Sequence, residues 1–230
     1  MTNTFRGFPP AFFKFYKELV SNNERDWFNA NKDRYLDDVV APSLEFIAAM
    51  EPKLRKVSPH FLAIAKRSRG SLMRIYRDTR FSKNKQPYKT NLGIQFRHEM
   101  GKDVHAPGFY FHYSPKETFL ASGIWRPDRD PLRQIRTTIV DYDARWKRVI
   151  GNRKFKEFFE LSGESLKRPP RDFDPDHKLI EDLKRKDFFA VCPLKATDLK
   201  SPDIVDLTIE RYKRSMPLVR FLCDALHIPS

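Results

Sequence analysis

NLGIQFRHEMGKDVHAPGFYFHYSPKETFLASGI, residues 91–124, is the stretch where the chain leaves helical periodicity for extended periodicity. From Asn91 to Arg97, Leu92, Ile94 and Phe96 alternate with Asn91, Gly93, Gln95 and Arg97. From Phe109 to Tyr113, Phe109, Phe111 and Tyr113 alternate with Tyr110 and His112. Side chains two apart share a face of a strand, so each run has an apolar face and a different one. Thr118 to Ile124 reads as a further strand, joined to the preceding one by the turn Ser114-Pro-Lys-Glu117. A strand is also predicted upstream at Leu72–Arg77. These runs predict an antiparallel central sheet from the middle of the chain. One face is greasy and the other bears Arg74, Gln95, Arg97, Tyr110 and His112.

The flanks predict helices to cover the greasy face. Residues 9–21 open with Pro9-Pro10, tolerated in a first turn, and space Phe12, Phe13, Tyr16, Leu19 and Val20 helically. Asn23 is a candidate cap for the next helix, whose stripe runs Trp27, Asn31, Tyr35, Val39 before Pro42 restarts or kinks it. Downstream, Leu132, Ile135, Ile139, Tyr142 and Trp146 form one stripe, with Phe155, Phe158 and Phe159 in a short follower. Asp174-Pro175 starts a short helix to about Lys186, and Ser201-Pro-Asp203 starts the last, through Val205, Ile209, Tyr212, Met216, Val219 and Leu222. With no repeat, low-complexity tract or clear linker, residues 1–230 read as a single α+β domain, covered on one face by N- and C-terminal helices.

Composition narrows the function classes. The 8 Gly include no G-x-G pair, which excludes the dinucleotide fingerprint, and no G-x-x-x-x-G-K-[ST] loop is present. Cys192 and Cys223 form neither a disulfide framework nor a C-x-x-C motif. The six His, at 60, 98, 105, 112, 177 and 227, show no compact ligand spacing, so no metal and no cofactor are expected. No apolar run approaches a membrane span and Met1–Phe8 has no signal-peptide core. The expectation is a soluble cytoplasmic protein with no membrane partner; oligomeric state is not encoded in any of these features.

Charge is concentrated. Between Lys53 and His98 stand thirteen basic residues and one acid, Asp78, so that this fifth of the chain carries +12 of the net +14. Its densest part is residues 74–90, RIYRDTRFSKNKQPYKT. Arg74, Arg77, Arg80, Lys83, Lys85 and Lys89 cannot all be buried unpaired. With the Ser82 and Thr90 hydroxyls they suit a phosphate or carboxylate, and Phe81 and Tyr88 offer stacking surfaces. The structural alternative is a hub in which Arg77 and Arg80 pair with Asp78 and helix acids while Phe81 and Tyr88 fill core.

The run RDTRFSKNKQPYKT, residues 77–90, resembles the signature of the uncharacterised microbial and fungal family called domain of unknown function 2461. The resemblance continues through DWFNANK at 26–32, GFYFHYSP at 108–115, GIWRP at 123–127, LKRPP at 166–170 and FDPDH at 173–177, and so covers nearly the whole chain. Two positions depart from the family's pattern. Asn84 stands where the family usually has an acid, and Lys178 follows His177 in place of Pro. Were that acid catalytic, its loss would impair this chain; a binding role survives the change more easily. The family brings no established activity, so the resemblance implies a shared fold over the chain and no mechanism.

Three functions fit the residues. In the first, the basic strand–loop–strand segment 74–90 binds a phosphorylated or anionic ligand, with nucleic acid as a partner through sequence-independent phosphate contacts; no helix-turn-helix, zinc-finger or RNP pattern accompanies it. In the second, an enzyme clamps an anionic small substrate while Tyr110 and His112 transfer protons and Asp78 orients His112. In the third, the basic face is a scaffold for an acidic protein. Trp125 and Arg126, at the end of a strand, are further candidates for holding a planar ligand; the alternative there is Trp125 packed over the core.

Overall fold

The structure is a computed structural model and describes residues 5–80, 82–101 and 106–230. Helix α1, Pro10–Ser21, starts on a proline whose missing N–H has no partner to lose in a first turn, and buries Phe12, Phe15, Tyr16 and Leu19. Helix α2 (Arg25–Ala30) and the single turn α3 (Lys32–Arg34) follow. The chain then widens into a π-helical stretch at Tyr35–Val40 before α4, Ala41–Leu54. Pro42 explains the widening: it cannot donate to the carbonyl four residues back, so the turn before it relaxes to a longer spacing.

Among the described residues, six strands form one sheet: β1 (Phe61–Leu62), β2 (Leu92–His98), β3 (Gly108–Tyr113), β4 (Thr118–Ile124), β5 (Glu160–Ser162) and β6 (Phe188–Pro193). Their order is β1-β2-β3-β4-β6-β5, every neighbour antiparallel, and the chain is α+β. The turn at 114–117 closes as the sequence predicts, with the Ser114 amide bonded to the Glu117 carbonyl at 2.8 Å. Leu92, Ile94, Phe96, Phe109, Phe111, Tyr113, Leu120 and Ile124 all face the core.

Aromatic rings from the helices and from the segment before α1 lie on that face. Phe8 and Phe46 meet Phe111, Phe12 meets Tyr113 at 5.0 Å, and Tyr212 meets Phe109 at 4.5 Å. Tyr212 belongs to α9 (Ile204–Ala225), which crosses β4; there the buried Ser122 and Ser215 hydroxyls pair at 2.7 Å. Each Phe so buried contributes about 1.5–3 kcal/mol, which makes this layer the main source of stability. Among the described residues, no helix is long and apolar enough to cross a membrane.

Several elements differ from the reading of the sequence. Leu72–Arg77 is not a strand. It makes isolated bridges, Leu72 with Ile94 and Tyr76 with Tyr88, because it leaves β2 after Met73 and pairs with its own return limb. The Arg77 amide donates to the Pro87 carbonyl and the Lys89 amide to the Ile75 carbonyl, but Pro87 has no N–H with which to extend a ladder. The stripe from Leu132 to Trp146 is two helices, α5 (Arg129–Asp141) and α6 (Asp143–Ile150), broken at the exposed Tyr142. Its follower is the short α7, Arg153–Lys156. Asp174 accepts from the Asp176 amide in a turn, so the helix predicted from there is only α8, Ile180–Leu183. The C-terminal half also supplies β5 and β6, where only helices are predicted.

Asn23 is not a helix cap. Glu24 takes that position, and the buried Asn23 amide reaches across to residue 88. Its Nδ2 donates to the Tyr88 carbonyl at 3.0 Å and its Oδ1 accepts from the Tyr88 amide at 3.1 Å. This pair of bonds ties the basic excursion 74–90 to the N-terminal helices. Asn23→Ala leaves two buried backbone groups without partners and should lower stability by about 1–3 kcal/mol, read from the urea midpoint. Hydrogen exchange at the Tyr88 amide should accelerate while the β3 amides stay protected; unchanged exchange at Tyr88 would show that the tie is not needed.

Candidate functional site

The sheet face away from the helices is set by strand register. Three cross-strand rows run over it: Gly93–His112–Phe119, Gln95–Tyr110–Ala121, and Arg97–Gly108–Gly123–Phe189. Small residues hollow these rows, and a cavity of about 590 Å³ lies above them. One wall is the excursion, through Met73, Arg74, Arg77, Asp78, Lys89 and Asn91, and Trp125 stands on the rim.

Gly93 is glycine for a local reason. A Cβ there would sit 2.8 Å from the Tyr110 hydroxyl and 2.9 Å from the Met73 sulfur. Tyr110 thus leans across β2, and its hydroxyl lies 3.1 Å from His112 Nδ1. The His112 ring stacks on Phe119 at 4.4 Å, and its Nε2 is 3.8 Å from the Glu117 carboxylate. A carboxylate only accepts, so the arrangement favours a proton on Nε2 and an O–H donated by Tyr110 to Nδ1. Burial pushes the Tyr110 phenol up to about 12. It pushes His112 below its ordinary 6.5, with Glu117 opposing the shift. At neutral pH the pair is an uncharged phenol beside an uncharged imidazole, able to pass a proton but carrying no charge of its own.

Charge comes from the excursion. Arg74, Arg77 and Lys89 line the cavity, and among the described residues none of them has an acid within 4.0 Å, though Asp78 on the same wall acts on Arg74 at longer range. Burial, reinforced by the neighbouring Arg74, holds Lys89 below its ordinary value. Asp78 is the acid on this wall, but it faces Arg80, which grips it with Nε at 3.0 Å and Nη2 at 2.6 Å. Those bonds lower its carboxyl to about 2. The orientation of His112 by Asp78 expected from the sequence is therefore corrected: the carboxylate facing His112 is Glu117.

Of the other residues singled out in the sequence, Arg80, Lys83, Lys85, Tyr88 and Arg126 do not line the cavity. Lys83 and Lys85 are exposed at the tip of the excursion, where Lys85 donates to the Thr79 carbonyl. Tyr88 is buried, its ring stacked on Phe28 at 4.0 Å, so it cannot serve as a platform for a ligand. Phe81 lies outside the described residues. Trp125 is not packed over the core but 49% exposed, with the Arg126 guanidinium 4.8 Å from its ring.

That corner is held by a residue the sequence did not flag. The buried Asp187 accepts from the Arg126 amide at 2.7 Å and from the Glu164 amide at 2.9 Å. The first bond holds Arg126 in its left-handed conformation, φ +48°. Phe119, Ala121 and Phe189 are cavity residues also missed. The first two were available from alternation in β4; Phe189 was not, because β6 went unrecognised. Among the described residues, no group of three or more His, Cys, Asp or Glu could hold a metal ion.

An antiparallel α+β sheet, helices on one face and a cation-walled hollow on the other, is the class of protein these features define. Residues 11–221 match the family described as Conserved hypothetical protein (DUF2461), and the chain belongs to it. No curated protein and no solved structure matched the chain.

Two measurements test this geometry. Because the folded pKa of His112 lies below 6.5, the unfolded chain takes up that proton first as pH falls. The His112 contribution is intact at neutral pH and declines below about pH 6.5, so His112→Gln should flatten that part of the stability profile relative to the parent. An NMR titration placing the His112 midpoint at or above 6.5 would contradict the burial assigned here. Gly93→Ala meets only the ends of flexible side chains, so it should cost about 1–3 kcal/mol and keep the fold, while moving Tyr110 off Nδ1. The loss reads as a change in the His112 tautomer signature by ¹⁵N NMR.

Proposed function

We propose that this chain binds a small anionic ligand in the cavity through Arg74, Arg77 and Lys89. One observation carries the reading: three cations, none of them in a close ion pair among the described residues, converge on a hollow of about 590 Å³, where the one acid in the lining, Asp78, is gripped by Arg80. Small-molecule sites span roughly 300–1,000 Å³ and combine apolar walls with a few polar anchors. Lys89, partly desolvated beside Arg74, gains from an arriving anion, whose charge offsets both the desolvation and the like-charge repulsion. Proton transfer by Tyr110 and His112 on the bound ligand is the enzymatic extension of this reading.

A second reading, nucleic acid, draws on other residues. Lys83, Lys85, Lys66, Arg67 and Arg69 are exposed and lie outside the cavity. Exposed cations of this kind support salt-sensitive phosphate contacts.

Thermal-shift and calorimetric titrations with phosphates, carboxylates and short oligonucleotides at low and near-physiological salt separate the two. In the first reading a small anion gives a salt-resistant shift. Arg77→Ala and Lys89→Ala should each weaken it by about 1.5–3 kcal/mol, roughly 10- to 150-fold, without unfolding the chain. Unchanged affinity in both folded variants would overturn that reading. In the second, every oligonucleotide binds, the binding fades with salt, and the double variant Lys83→Ala/Lys85→Ala reduces the salt slope.

A further inference from the structure

We infer that the cavity takes a two-ended ligand: a phosphomonoester or carboxylate head joined through a short polar linker to a planar aromatic ring. The inference rests on the anion reading above and narrows it. Its basis is the order in which chemistry is laid out across the sheet. At one side, beside β2, the excursion presents Arg77 and Lys89. In the middle stand the neutral polar groups of Gln95 on β2 and of Tyr110 and His112 on β3. At the far side are Phe119 on β4, Phe189 on β6 and Trp125 just beyond β4.

Neighbouring strands are about 4.8 Å apart, so β2 and β6 are separated by three spacings, roughly 14 Å. The cations that line the hollow and its aromatic rings therefore occupy opposite ends, with hydrogen-bonding groups between them; Arg126, which lies over Trp125, is not part of the lining. A compact anion is satisfied by the first end alone and leaves the aromatic wall wet. A ring without charge fills the second and leaves the cations unanswered. A polynucleotide needs cations repeated along a track, whereas the cations lining this hollow gather at one end. The flat faces of Trp125 and Phe189 suit a ring, which stacks at low entropic cost, while Phe119, already stacked on His112, extends the apolar wall. The middle strip suits the oxygens of a sugar, ester or amide linker. Nucleoside monophosphates have this layout, as do aryl phosphates and aryl carboxylates in shorter form.

Calorimetry on the intact chain tests it with adenosine 5′-monophosphate, 1-naphthyl phosphate, 1-naphthoate, ribose 5-phosphate, inorganic phosphate, hexyl phosphate and adenosine. At least one of the three ring-bearing anions should bind tenfold or more tighter than each of the other four probes. Which of the three leads distinguishes a nucleotide from a simpler aryl anion. Trp125→Ala, at a half-exposed position that does not support the core, should abolish the ratio between the leading ligand and ribose 5-phosphate. Trp125→Phe should restore part of that ratio. Lys89→Ala should abolish the ratio between the leading ligand and adenosine.

Ribose 5-phosphate or hexyl phosphate binding as tightly as the ring-bearing anions would overturn the two-ended inference and leave the anion reading standing. Adenosine binding as tightly as its monophosphate would overturn the anionic head, and with it the anion reading. Binding by none of the anions would overturn both.

Discussion

The open face exists because β2, β3 and β4 pair in one register. A slip of a single residue would turn Ile94, Phe111 and Leu120 to water and send Gln95, Tyr110 and Ala121 into the core. The register is held from the opposite side, by the aromatic layer of Phe8, Phe12, Phe46 and Tyr212 against the inward side chains. Stability and the site thus share a cause. The packing that drives folding also lines up Gly93, His112 and Phe119 on the other face, where they contribute little to the core.

The cationic wall is held differently. Arg74, Arg77 and Lys89 sit close enough for Arg74 to disfavour the charge on Lys89, so the excursion carries a repulsion that must be offset. It is offset away from the charges, where Tyr88 is stacked on Phe28 and bonded at both backbone atoms by Asn23. The N-terminal helices therefore do more than cover the sheet. They hold a run of cations against a hollow, so the ligand proposed above would meet a wall already in place.

Period-2 alternation in residues 91–124 was enough to find β2, β3, β4 and the polar face carrying Tyr110 and His112. It failed for β6 because Phe188, Phe189, Ala190, Val191 and Cys192 are apolar on both faces, which leaves no alternation to read. It misled at Leu72–Arg77, whose strand-like composition serves local pairing with residues 87–89. Arg77 and Lys89 were legible as cations, but which cations face the cavity depends on the path of the excursion. Nothing local distinguishes Lys89, which lines the hollow, from Lys85, which donates to Thr79 at the tip. Asp187 and Asn23 were illegible for a related reason: each acts on backbone far away in sequence, and a carboxylate or amide bound to distant N–H groups has no spacing signature.

The two outermost strands are the shortest in the sheet, β1 with two residues and β5 with three. Such stubs present too few free backbone groups to template a foreign strand. Self-association by adding one sheet to another is thereby discouraged, even though six strands and 20 Phe would otherwise make the chain prone to it.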